Sequence, residues 1–223
     1  MTYLLARIVQ FREPTSSLSH FIAGLVSIVG LVVLLATAWG DPLRVLVVGV
    51  YGLSTVAIFI SSGIYHMVNA DHDTLNRLVK ADRVSIFLQI AGTYTPFCAL
   101  YLTGGWRVAM LVLIWGMALA GSIYVIRFYV RGISRKLYST IFYVAMGCAG
   151  LAAVPELAQT LPQGASILLL MGGGFYLTGA IVYSLNAPTL HPRYLNAHDL
   201  WHFFVIGGSL CHFIAVLLYA AVG

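Results

Sequence analysis

The chain is a succession of long apolar runs separated by short polar stretches. Seven runs stand out, over roughly 18–38, 43–67, 82–102, 107–127, 137–155, 164–186 and 199–221. Each is close to the ~20 residues a helix needs to cross the hydrocarbon of a bilayer. None shows the alternation of apolar and polar residues that marks a barrel strand. Most breaks carry turn chemistry: Gly40-Asp41-Pro42, Gly104-Gly105 and Leu161-Pro162-Gln163-Gly164. The pattern predicts an all-α membrane protein, a seven-transmembrane helix bundle. A short N-terminal segment, 1–16, precedes a single transmembrane domain over 17–223. There is no linker, no low-complexity tract and no internal repeat of the inverted-transporter kind.

Composition agrees. Of 223 residues, 60% are hydrophobic and 9% charged, whereas a soluble domain carries about 25% charge. Twelve basic and seven acidic residues cannot clothe a 24.2 kDa globule. A soluble protein is excluded, and so is intrinsic disorder, which needs low hydrophobicity and high charge. The net charge of +5 sits in isolated Arg and Lys rather than in a phosphate-binding stripe. No nucleic-acid partner is expected, and no soluble protein partner is indicated. The expected partners are membrane lipids, with the oligomeric state left open. Cys98, Cys148 and Cys211 form no CxxC or Cys/His cluster and read as small buried hydrophobes rather than a disulfide framework. Residues 1–16 hold Arg7, Arg12 and Glu13 and no long apolar core, so no cleavable signal peptide is expected.

The basic residues give an orientation. The N-terminal segment and loops 2–3, 4–5 and 6–7 hold Arg7, Arg12, Arg77, Lys80, Arg83, Arg127, Arg131, Arg135, Lys136 and Arg193. The opposite side holds Arg44 and Arg107. Ten against two places the N-terminus in the cytoplasm and the C-terminus outside, in a multi-pass protein of the cell inner (plasma) membrane. G-protein-coupled receptors have the reverse orientation. Retinal proteins need a lysine within the last helix, and Lys80 and Lys136 both lie at cytoplasmic helix ends.

Ionisable residues in or beside a span are costly and mark function by default. Ser62, His66, Asp82, His198, Asp199, His202 and His212 are in this position. His66 ends the second run, Asp82 opens the third, and His198 and His202 open the seventh. All four fall at the cytoplasmic level, although the histidines took no part in the charge count. His198 and His202 are four apart, on one helix face, a spacing that lets two imidazoles share a metal. Ser62 and His66 are also four apart. A third imidazole from the second run completes a His₃ set, the usual catalytic zinc pattern with an open fourth position. Asp82 is then a candidate to hold the bound water or take its proton. The alternative is plain: a pair of interfacial histidines at a helix start, with no metal.

Three stretches resemble the signature motifs of one superfamily. They are Ser62-Gly-Ile-Tyr-His66, Asp82 at the head of the third run, and His198-Asp-Leu-Trp-His202. That superfamily comprises the progestin and adiponectin receptors, the hemolysin III-related bacterial proteins and the alkaline ceramidases. Ile90-Ala-Gly-Thr-Tyr-Thr-Pro96 and Gly207-Gly-Ser-Leu-Cys-His-Phe213 are similar to the bacterial hemolysin III branch, and the resemblance runs from His20 to the C-terminus. It implies a cytoplasm-side zinc held by His66, His198 and His202, with Asp82 on the zinc-bound water and Ser62 beside the metal. Ceramidases of the superfamily hydrolyse a lipid amide. Some members of the bacterial branch are tied to membrane-energy and fluidity homeostasis. One departure is visible: family members often carry Asn one turn before the first-helix histidine, where this chain has Ser16, while Glu13 is retained.

Other residues get smaller roles. His20 reads as an interfacial histidine, with a supporting role near the metal as the alternative. His212 is about 15 Å beyond His202 along a helix, too deep to share the metal, and reads as buried and hydrogen-bonded. Asp199 reads as a first-turn or cap charge. His72 and His191 read as solvated loop residues, and Tyr65 and Trp201 as interfacial aromatics. Pro96 is expected to kink its helix and open a lateral cavity, and Gly172-Gly173-Gly174 to serve close helix packing. Three functions compete: a zinc-dependent lipid amide or ester hydrolase with Asp82 as base and Ser62 on the oxyanion, a sensor or regulator with structural zinc, and a pore-forming cytolysin.

Overall fold

The computed structural model describes residues 11–129 and 136–222. Arg7, Arg131 and Arg135, counted in the charge bias, lie outside them. Seven helices are long and apolar enough to cross a membrane, and no strand occurs among the described residues, where His191 and Leu195 form an isolated bridge. Helix 1 is Pro14–Thr37, helix 2 Pro42–Met67, helix 3 His72–Tyr101 and helix 4 Gly104–Phe128. Helix 5 is composite: Lys136–Cys148, a 3₁₀ turn Ala149–Ala153, then Val154–Thr160. Helix 6 is Gln163–Leu185, and helix 7 is Ala197–Val216, extended by a π-type turn Leu217–Ala221.

Local chemistry sets several starts. Asp41 accepts from the amides of Leu43 (3.0 Å) and Arg44 (3.1 Å), with Pro42 at the first helical position. Asn196 accepts from His198 N (2.8 Å) and Asp199 N (3.2 Å), and Asp199 Oδ2 accepts from Asn196 N (3.0 Å). This reciprocal capping box fixes the first turn of helix 7, as the cap reading of Asp199 anticipates. Helix 6 ends at Asn186, whose left-handed φ of 53° is a common helix stop.

The third span departs from expectation. Its helix begins at His72, ten residues before the apolar run, so Asp82 lies inside the helix rather than at its head. The cause is local. Asp71 caps the helix through the amides of Asp73 and Thr74, both at 3.0 Å, and the polar turns that follow are helical although they are not apolar. Hydropathy reports what lies in hydrocarbon, not where a helix starts. His72, read as a loop residue, is the exposed first residue of this helix.

Helix 3 is the bundle's axis: 61% of its span window is buried, against 17% for helix 1. The outer helices turn Val26 (65% exposed), Val29 and Leu170 toward what is lipid in a membrane. Helix 3 continues through Pro96, which is fully buried among its neighbours, so the expected opening is not there. The interruption falls in helix 5, where Tyr94 of helix 3 repairs it. Its hydroxyl donates to Gly147 O (2.6 Å) and accepts from Gly150 N (2.8 Å). Such breaks are tolerated at membrane depth when the freed backbone groups are satisfied again. Of the three consecutive glycines only Gly172 makes a close approach, with an added Cβ 3.0 Å from Gly208 O; Gly173 and Gly174 meet nothing within 4 Å. Cys98 is buried as read, whereas Cys148 is exposed on helix 5.

Candidate metal centre

Antiparallel connection brings the starts of helices 1 and 7 and the end of helix 2 to one level. Helices 1 and 2 meet closely there, because Gly63 leaves room for the backbone of Phe21: an added Cβ would sit 2.9 Å from Phe21 N. His66, in the last turn of helix 2, thereby faces His198 and His202 in the first turns of helix 7. The three ring centroids are nearly equidistant, at 4.9, 4.7 and 4.8 Å. One nitrogen from each ring lies within 4.8 Å of the other two. His66 and His202 are buried, and His198 is partly exposed.

The donor set suits a metal. Two nitrogens each ~2.05 Å from a tetrahedral zinc stand roughly 3.3 Å apart. His198 Nε2 and His202 Nε2 are 3.3 Å apart. Nδ1 of His66 is already occupied, 2.6 Å from Glu13 Oε2, which leaves Nε2 for a ligand. A carboxylate behind a ligating histidine is the arrangement that fixes the tautomer and ring orientation at metal sites.

Glu13 is the residue that sequence reasoning underused. It also lies 3.6 Å from His198 Nδ1 and 3.3 Å from Arg12 Nε. Burial alone would raise its carboxyl pKa. The hydrogen bond and charge of His66, with His198 and Arg12, outweigh that and hold it down at about 2. The segment carrying it is fastened to helix 2: Glu13 N donates to His66 O (3.1 Å) and Arg12 Nη2 to Tyr65 O (2.6 Å). Arg12 also stacks on the Tyr65 ring at 4.2 Å, so Tyr65 packs into the site instead of anchoring at the interface. The sequence signals for Glu13 are its depth, one residue before helix 1, and its retention in the resemblance noted above.

His20 is corrected from interfacial to buried. It is 3% exposed, its ring centroid is 3.9 Å from that of His202, and its Nε2 is 3.4 Å from His202 O. Ser16 donates to Asp199 Oδ1 at 2.6 Å and so ties helix 1 to the cap of helix 7. Asp82 stands outside the histidine triad and is hydrogen-bonded to Ser62, which is buried. Ser85 Oγ bonds both Asp82 O (2.6 Å) and Ser61 Oγ (2.9 Å), locking helix 3 to helix 2 beside the pair. His212 is away from the cluster as expected, 3.2 Å from Leu169 O and packed on Tyr176 at 5.4 Å between centroids.

The chain is similar to known proteins over almost its whole length. The profile of the haemolysin-III related family matches residues 9–213, which takes in Glu13, Asp82 and all three clustered histidines. Hemolysin-3 of Bacillus cereus is 34% identical over 98% of this chain and 97% of its own length. The Hemolysin-3 homolog of Bacillus subtilis is 34% identical over 93% of each. The human monocyte to macrophage differentiation factor is 29% identical over 76% of this chain and 68% of its own. With seven apolar helices, three converging histidines and a family match across almost its whole length, the chain is a multi-pass membrane protein that belongs to the haemolysin-III related family.

Proposed function

We propose that this protein is a zinc-dependent hydrolase acting on a lipid amide or ester at the cytoplasmic face of the plasma (inner) membrane. The observation that carries the reading is the meeting of three imidazoles with a separate Asp82–Ser62 pair. His66, His198 and His202 hold the metal, with Glu13 keeping His66 in the tautomer that presents Nε2. Bound zinc supplies a Lewis acid for a carbonyl oxygen and lowers the pKa of a bound water toward neutrality. Asp82, not a ligand, accepts a proton at its carboxylate and passes it to the leaving group. The Ser62 hydroxyl orients that carboxylate and offers a hydrogen bond to charge developing on the carbonyl oxygen.

The test is metal analysis of detergent-purified protein followed by turnover of fluorogenic N-acyl and O-acyl lipids. Wild type should hold one zinc per chain, and the His66, His198, His202 triple alanine variant none. Asp82→Asn should keep the zinc and lose turnover. Full turnover by Asp82→Asn would refute the proton-transfer role. A second reading, a membrane regulator with structural metal, is favoured by the same triad's joining the ends of helices 2 and 7. It expects chelation to lower the melting temperature in a protein with no turnover to lose.

A further inference from the structure

Arg83 follows Asp82 on helix 3. It makes no ion pair among the described residues, and its Nε is buried without a hydrogen-bond partner. One face of the guanidinium is covered by the Tyr129 ring, at 4.4 Å. The hydroxyls of Tyr143 and Tyr183 lie beside it. Tyr143 is fixed from behind by donating to Arg83 O at 3.2 Å. Tyr183 leads on to the metal centre, its ring 5.4 Å from that of His198. Residues of helices 3, 5 and 6 and the end of helix 4 thus gather a partly buried cation and two hydroxyls near Asp82 and the triad.

Such a cation is expensive. Arginine costs on the order of 3 kcal/mol at the centre of a span and less toward its end, and aromatic stacking returns part of that. A guanidinium with an unused donor is matched by an oxyanion, which its planar fork binds in bidentate fashion. Depth says where the oxyanion comes from. Helix 3 has 30 residues, about 45 Å, against roughly 30 Å of hydrocarbon. Its polar first turns place the excess at this end, so Arg83 lies near the boundary between headgroups and acyl chains. Lys80, one turn nearer the loops and bonded to Ile126 O at 2.8 Å, adds positive charge above it.

We propose that Arg83, with the hydroxyl of Tyr183, forms a subsite for the oxyanion of a membrane lipid, a phosphodiester or a carboxylate, beside the histidine triad. The proposal rests on the hydrolase reading for one point, that the lipid so held is substrate or product; the binding itself does not need the metal.

The experiment is lipid retention by native mass spectrometry, with phosphatidylglycerol, oleate and phosphatidylcholine in competition. Wild type should retain an anionic lipid about tenfold over phosphatidylcholine, the effect of one charge-assisted pair. Preference for phosphatidylglycerol alone identifies a phosphodiester site, and preference for oleate alone a carboxylate site. Arg83→Gln should bring the ratio near one, and Tyr183→Phe should lower it while keeping the ring. Arg83→Lys retains the charge without the fork, so a reduced ratio there supports the proposal even if Arg83→Gln does not fold. The triple histidine variant should retain the preference. An unchanged ratio in folded Arg83→Gln, or a preference that vanishes with the histidines, overturns the subsite. Retention that depends on Arg83 in a protein that hydrolyses no lipid would support the subsite and sink the hydrolase.

Discussion

Removing the Glu13 carboxylate tests how the site is held together. Its Oε2 lies 2.6 Å from His66 Nδ1, a charge-assisted contact of the stronger kind. Loss of such an outer partner generally costs about 10–100-fold in metal affinity, or about 1.4–2.7 kcal/mol. Two features of the structure choose within that range. The Glu13 side chain is 37% exposed, so solvent screens the charge and trims its contribution. His66 is 1% exposed, so its N–H has nothing to turn to when the carboxylate goes. Glu13→Gln keeps an acceptor without the charge and should weaken zinc binding about tenfold. Glu13→Ala leaves the N–H unpaired and should weaken it by a few tens. The assay is competition with a chromophoric chelator at neutral pH in detergent, read beside a melting curve that separates lost affinity from lost fold. Equal affinities of wild type and Glu13→Ala, with both folded, would refute the idea that the carboxylate orients His66.

Three further outcomes follow from local geometry. Gly63→Ala puts a methyl 2.9 Å from Phe21 N, where backbone cannot yield; helices 1 and 2 must part, at about 1–3 kcal/mol, and zinc affinity should fall because His66 moves with helix 2. Tyr94→Phe strips Gly147 O and Gly150 N of their partner and should destabilise the fold by about 1–2 kcal/mol in SDS-titration unfolding; an unaltered midpoint would mean that the helix 5 break needs no repair. Asp71, outside the spans, has a carboxyl pKa lowered by the Thr74 amide, the Thr74 hydroxyl and the Asp73 amide. Its stabilisation of helix 3 is therefore complete above the unfolded carboxyl pKa and is lost as pH falls through the folded one, whereas Asp71→Asn caps without titrating and should flatten that acid limb.

What could be read from the chain depended on which physical signal each residue leaves in it. Membrane spans announce themselves because hydrocarbon imposes both length and composition, and all seven are where the apolar runs put them. The triad was legible because two of its members sit four apart on one helix, and the third lies at a depth that topology alone assigns. Helix 3 was misjudged at its start because its first ten residues leave the hydrocarbon while remaining helical under the Asp71 cap. Glu13 and His20 were undervalued for a related reason. Their importance comes from the way the chain enters helix 1 across the end of helix 2, a tertiary contact with no periodic trace in the sequence. The same holds for Tyr94, whose partner is a break in a helix more than fifty residues away, and for the three tyrosines that gather around Arg83 from three different helices.

These contacts share a direction. The triad draws helices 2 and 7 together, Glu13 and Arg12 clamp helix 1 to helix 2, and Ser16 joins helix 1 to the cap of helix 7. These polar contacts run between elements and tie this end together, whereas Arg44 fastens the opposite end through Ala220 O and Val222 O at 2.8 Å each. Asp82, Ser62 and Arg83 sit at the seam between this unit and helices 3 to 6. On the proposed reading, the ligand set faces a wall that carries the proton acceptor and the cation for a headgroup. On this argument, substitutions at Glu13 act through the metal and substitutions at Arg83 through the lipid. A double variant should therefore show additive losses in the two binding assays, and strong coupling between them would mean that the seam does not exist.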